Sequence, residues 1–183
     1  TAAITENGKA LNYASDELKN NMTFVTAAIT ENGKALKYAS DEIRNNVKFV
    51  TAAVSNDGSA LEYASKELKN NLQVVTAALT QNATALEHAS DQLKNDEGVV
   101  TIAVTLDSKN QNRFFFPALN FASDEMKNNE RVVTIAVKNN VKAWLFASKT
   151  MRGNVGVVLA ALRQCSEVYI CQEFIIAAVT KYH

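Results

Sequence analysis

The chain has 183 residues, with 19 Lys and Arg against 19 Asp and Glu, so its formal net charge is zero. Hydrophobic residues make up 47% and charged residues 21%, which excludes intrinsic disorder, and 6 Gly with 1 Pro are too few for a turn-rich β-sandwich. Zero net charge gives no field that would draw the whole molecule to nucleic acid or acidic lipid.

The first element met along the chain is a repeat. Thr-Ala-Ala-aliphatic occurs at Thr1, Thr26, Thr51 and Thr76, and Thr101 opens the variant Thr-Ile-Ala-Val. The spacing is constant at about 25 residues, within the range of stacked structural repeats. The next copy opens late, at Thr134, so eight residues are inserted. Register resumes at Leu159, and a shortened last copy brings Ile176 early. A second element alternates with the first. Its core, Ala-Leu-x-Tyr-Ala-Ser, runs from Ala10 to Ser15, Ala35 to Ser40 and Ala60 to Ser65. His88, Phe121 and Phe146 then replace the Tyr, and Trp144 replaces the Leu. A degenerate seventh copy passes through Val168, Tyr169 and Ile170.

Both elements read as helices. Val25, Ala28 and Ile29 share a face at i, i+3, i+4, and Leu36, Ala39 and Ile43 do so at i, i+3, i+7. Asn46, Asn71, Asp96, Asn129 and Asn154 each precede an apolar-periodic run, as N-caps do. Asn7-Gly8, Asn32-Gly33 and Asp57-Gly58 are expected to end the first helix, with Gly in the left-handed conformation. Ala83 and Val141 break that rule, which predicts local strain or a left-handed Asn82 or Asn140. The recurring Ser either caps a separate short turn or lies within a continuous second helix, and the first reading is favoured. Each unit is then a helical hairpin that cannot bury both faces alone, and stacked neighbours supply the missing cover.

The expected fold is therefore an all-α solenoid of about seven short helical hairpins, forming one domain over residues 1–183. It carries an insertion loop at 105–117 and a degenerate capping repeat at 163–183. Since the chain opens at Thr1 inside a repeat, it is expected to be a mature or trimmed product, and its compartment is left open. The apolar runs 155–162 and 174–179 fall short of the about 20 residues a membrane-spanning helix needs.

With the consensus assembled, the chain resembles a family of short tandem repeats known as domain of unknown function 4116. The pattern is carried by Asn46 through Leu68, including Val50, Ala52, Ala53, Val54, Gly58, Leu61, Tyr63, Ala64, Ser65 and Glu67. The resemblance implies a helical array acting as an interaction scaffold, and it brings no catalytic or binding residues with it. The alternation is also similar to that of leucine-rich repeat variants, right-handed stacks of short helices.

Little in the chain points to catalysis. Six Ser recur in one register, but the only His are His88 and His183, and a Ser copied so often reads as structural. His88 reads as a packing substitute for Tyr. Cys165 and Cys171 stand six apart without Cys-x-x-Cys spacing, so no metal site is expected, and a disulfide between them stays an alternative to two buried thiols. Asp16-Glu17, Asp41-Glu42 and Asp124-Glu125, each followed by a cation, read as dipole compensation on solvated faces.

The insertion departs from this logic. Arg113, Phe114, Phe115 and Phe116 cannot all face inward in a short polar loop, and they are the candidate partner-binding residues. The competing reading folds one or two Phe back over the core. The expected function is a non-enzymatic protein–protein interaction or scaffold module without cofactor, a peripheral subunit of a larger multisubunit assembly. Its tunable positions are Asn12, Lys37, Glu62, Glu87, Asn120 and Leu145. The rival is the repeat portion of a longer enzyme or effector. A third reading, an RNA-binding array, is disfavoured by the balanced charge.

Overall fold

A computed structural model of the chain describes residues 8–107 and 116–164, with side-chain environments from Leu11 onward. Every described element is helical, and no strand occurs among the described residues. The degenerate copy at Val168 to Ile170, Cys165, Cys171 and His183 lie outside them. Of the expected cap at 163–183, only Arg163 and Gln164 are described, as the end of the helix Val155–Gln164. No described helix is long and apolar enough to cross a membrane.

The repeat has three elements, in line with the favoured reading of the Ser as the cap of a separate short turn, and the segment before that turn is a 3-10 helix rather than an α-helix. Gly33–Tyr38 is a 3-10 helix, Asp41–Arg44 a one-turn α-helix, and Val47–Asn56 a longer α-helix. The second element is split because Ala39 is extended (φ −73°, ψ 161°) and Ser40 opens a new helix as its N-cap. The same triplet recurs from Gly58–Tyr63, Lys66–Lys69 and Leu72–Gln81 onward. The 3-10 segment follows from a three-residue pattern, since residues i and i+3 eclipse in that helix. Gly33 and Leu36 are buried, while Lys34 and Lys37 face solvent.

The long helices form as expected. Asn46, Asn71, Asp96, Asn129 and Asn154 cap them, each side chain accepting a backbone N–H from the first turn. One face is buried in each: Val25, Ala28 and Ile29, then Val50, Ala53 and Val54, then Val75, Ala78 and Leu79. They meet the fully buried Leu11, Leu36, Leu61 and Leu86 of the 3-10 segments.

The turn between the long helix and the 3-10 segment corrects a second expectation. No described residue, glycine included, has a positive φ. Asn32 (φ −152°, ψ 110°) makes the turn instead, donating its N–H to Ala28 O and accepting the Lys34 N–H on its side chain. Asn82 (φ −148°) and Asn140 (φ −146°) take the same conformation, so the strain expected at Ala83 and Val141 is absent. Glycine is present for close approach. A Cβ on Gly33 would collide with Ala53 O of the next long helix, and one on Gly58 would lie 2.5 Å from Ala78 O.

The chain divides into two compact units, Thr1–Leu93 and Lys94–His183. In the first, the long helices Met22–Glu31, Val47–Asn56 and Leu72–Gln81 pack side by side, and the 3-10 segments from Gly8–Tyr13 to Ala83–His88 form a second row. In the second, Glu97–Leu106, Glu130–Asn139 and Val155–Gln164 pack in sequence order, beside the 3-10 segments Ala118–Phe121 and Val141–Phe146. Within each unit this is the stacked order of an α-solenoid.

The recurring Ser joins the repeats. Ser65 accepts the Leu68 N–H on Oγ (3.2 Å), donates that hydroxyl to Asn45 Oδ1 (2.6 Å), and donates its own N–H to Arg44 O (3.0 Å). Ser40 repeats the set with Ile43, Asn20 and Lys19, and Ser148 with Met151, Asn128 and Lys127. The short helix is thus tied to the one before it by both backbone and side chain. Dependence on neighbours is visible in burial: Leu18 in the first described short helix is 38% exposed, against 2% for Ile43 and 5% for Leu68.

Two substitutions separate core filling from close approach. Leu36→Ala should destabilise the first unit by about 2–5 kcal/mol, because it leaves a cavity between rows. Gly58→Ala should cost about 1–3 kcal/mol by forcing the neighbouring long helix outward. Denaturant unfolding followed by circular dichroism measures both, and a Gly58→Ala protein as stable as the parent would remove the close-approach account.

Candidate functional site

The surface that varies from repeat to repeat lies on the 3-10 segments. Asn12, Lys37, Glu62, Glu87 and Leu145 are exposed and Asn120 is half-buried, while the Leu or Trp one residue earlier is buried each time. The three-residue period produces this division, since the position that packs inward and the one that faces water are fixed by adjacent rows.

In the first unit this face is polar and cross-linked. The Lys37 ammonium lies 5.9 Å from the Tyr38 ring centroid and 5.8 Å from that of Tyr63, within cation–π range of both. Lys34 Nζ reaches Asp57 at 3.5 Å. Burial pushes the Asp57 carboxyl upward, but hydrogen bonds from the Ser59 hydroxyl and N–H, with Lys34 alongside, bring it below its usual value. His88 occupies the half-buried Tyr position at the end of Ala83–His88.

In the second unit the same face carries the insertion. Asp107 stands in the register of Asn32, yet it is α-helical (φ −62°, ψ −24°) and only 4% exposed. Its carboxylate accepts from Asn140 Nδ2 at 3.0 Å and from the Ala118 backbone N–H. Residues 107 and 118 are therefore held together.

Arg113, Phe114 and Phe115 lie outside the described residues. Phe116 falls in the register of Gly33 but is 59% exposed, with its ring edge-to-face on Phe146 (centroids 5.8 Å apart, 88° between planes). Leu145, beside Phe146, is 47% exposed. Sequence reasoning singled out Phe116 and missed its pairing with Phe146, thirty positions away in another repeat. Asp107 was also missed, because Asp57 stands in the same register as an ordinary cap and an acidic side chain there is no signal by itself.

The other candidate chemistries take structural places. The recurring Ser residues cap helices. Asp41 pairs with Arg44 and Asp124 with Lys127 at i,i+3 on solvated faces. Glu42 and Glu125 also accept from the Asn20 and Asn95 side chains, at 3.2 and 2.9 Å, so they reinforce the joint between repeats. Among the described residues, no group of three His, Cys, Asp or Glu could hold a metal ion.

Asp107 makes the base of the insertion sensitive to pH. Burial raises its pKa above the ordinary 3.8, outweighing the lowering by Asn140 and Ala118. The folded chain thus holds this proton more tightly than the unfolded one, so the site's contribution falls as pH rises through the raised value. Asp107→Asn keeps an acceptor without the charge. Its stability relative to the parent should improve as pH rises from about 4 through the raised value, measured by denaturant unfolding at each pH, and a pH-independent difference would contradict the assignment.

The sequence pattern of a family described as a domain of unknown function, DUF4116, matches the chain in three tandem segments, residues 1–44, 46–94 and 96–152. The third segment exceeds the second by eight positions, which is the length of the insertion. No curated protein and no solved structure matches the chain. Three matches in series over most of its length make this chain a member of the DUF4116 repeat family.

Proposed function

We propose that the chain is a non-enzymatic protein–protein interaction or scaffold module, working as a peripheral subunit of a larger assembly. The observation that carries this reading is the division of labour within the 3-10 segments. A buried Leu or Trp is kept in every described copy, while the exposed neighbour runs through Asn12, Lys37, Glu62, Glu87 and Leu145. A surface that varies over a constant core can be fitted to a partner without loss of fold.

The insertion is the part of that surface with the best anchors. Exposed aromatic side chains bury large area at small entropic cost, which is why they dominate binding energy at interfaces. Phe116 presents such a ring, two residues before the Ala118 N–H that Asp107 holds.

Native pull-down followed by mass spectrometry tests the reading. Changing Phe114, Phe115 and Phe116 together to Ser should abolish capture of the partner while the helical circular dichroism stays at the parent level. Unchanged co-purification would remove the insertion from the interface. Failure of the parent to retain any protein would remove the interaction reading itself.

A further inference from the structure

The last described repeat departs from the electrostatic rule that the others follow. The short helices Asp16–Lys19, Asp41–Arg44, Lys66–Lys69, Asp91–Lys94 and Asp124–Lys127 each carry a carboxylate in the first turn. Lys149–Arg152 carries none, so its opening lysine, unlike Lys66 with Glu67 beside it, has no first-turn acid to offset it. A cation there opposes the helix dipole, so local stability does not explain its presence. The bias is regional: Arg131 to Gln164 contains six Lys and Arg and no Asp or Glu. Only Arg131 among them pairs with a carboxylate within the described residues, namely Glu97 at 3.3 Å.

Three of these cations lie in the stretch of chain that carries the exposed Leu145: Lys142 in its 3-10 helix, and Lys149 and Arg152 in the short helix that follows. Lys142 and Leu145 are three apart in the 3-10 helix Val141–Phe146 and so share an edge. Phe146, next to Leu145, holds the exposed Phe116 ring. The Arg152 guanidinium is fixed 6.0 Å from the centroid of the Trp144 ring, whose indole N–H donates to Arg152 O at 3.3 Å. Exposed apolar side chains thus share one stretch of chain with cations and no carboxylate, the complement of an acidic chain bearing an apolar anchor.

We infer that the face formed by Phe116, Lys142, Leu145, Phe146, Lys149 and Arg152 docks an acidic peptide segment of a partner protein, with an apolar side chain seated on Leu145 and Phe116. An RNA strand is a poorer fit, since Leu145, the other exposed apolar side chain of the face, offers no ring on which a base could stack. A lipid surface is also a poorer fit, because the exposed apolar area is confined to a few side chains among charged ones.

The inference rests on the proposed interaction function and names the partner's chemistry. The probe is a fluorescein-labelled peptide of alternating Glu and Leu around a central Phe, with a second peptide in which Gln replaces every Glu. Anisotropy titration of the full chain should show the acidic peptide binding at least about tenfold more tightly than the Gln peptide. Lys149→Glu with Thr150→Glu recreates the acidic first turn of Asp41–Arg44, so the fold is kept, and it should weaken binding by at least about tenfold. Leu145→Ser should weaken it independently. No binding, binding indifferent to the double substitution, or preference for phosphatidylserine vesicles or oligo(U) would overturn the inference. A partner recovered by pull-down that still binds the Lys149→Glu/Thr150→Glu protein would end this inference and leave the interaction function standing.

Discussion

Everything in this molecule depends on a serine hydroxyl shared between two repeats. At Ser65 the oxygen accepts the Leu68 N–H, capping its own short helix, while its proton goes to Asn45 of the previous repeat. Neither bond could be replaced by packing, because the short helix has only four residues and one buried side chain, Leu68. An isolated single turn is far below the length at which a helix is stable in water. The joint gives that turn a fixed place, and the long helix that follows inherits its position from it. The same geometry at Ser40 and Ser148 shows why one substitution pattern could be copied: each new repeat presents an Asn to the next and a Ser to the last.

Much of the fold was legible in the sequence, for reasons visible in particular residues. The constant repeat period, the Asn and Asp caps and the Val25–Ala28–Ile29 face all express strong local rules, and all are found. The break in the second element was the favoured reading because of its recurring Ser, although Leu36, Ala39 and Ile43 remain in phase for a continuous helix. The extended Ala39 between them leaves no mark in apolar spacing. The signal for the 3-10 form was the period of three in Gly33-Lys34-Ala35-Leu36-Lys37-Tyr38, buried at Gly33 and Leu36 and exposed at Lys34 and Lys37. Glycine was misread. Asn-Gly is a strong local turn signal, whereas the contact that selects Gly33 is with Ala53 O in the following repeat.

The candidate site was only half legible. Three consecutive Phe in a polar insertion stand out in any composition scan, and Phe116 is exposed. Its partner Phe146 is hidden in the sequence as one more substitute for Tyr, and becomes part of the site only once repeats are stacked. Asp107 is similar: a buried carboxylate closing a loop is defined by Asn140 and the Ala118 N–H, both distant in sequence. In the face proposed to carry function, Leu145 takes the register position that elsewhere holds Asn, Lys and Glu, while Phe116 takes that of Gly33 and Phe146 that of Tyr38. Specialisation came from changing side chains on a constant frame, and the frame is kept by the joint beneath it.

A double-mutant cycle between Asn45 and Ser65 tests that joint most directly. Asn45→Ala and Ser65→Ala, singly and together, would be unfolded in denaturant and compared with the parent. Because the capping bond to Leu68 is lost in both Ser65→Ala backgrounds, the cycle isolates the bond across repeats. A coupling of about 0.5–1.5 kcal/mol is the predicted result. Strictly additive losses would mean that the hydroxyl only caps its own helix and that the repeats are held together by packing alone.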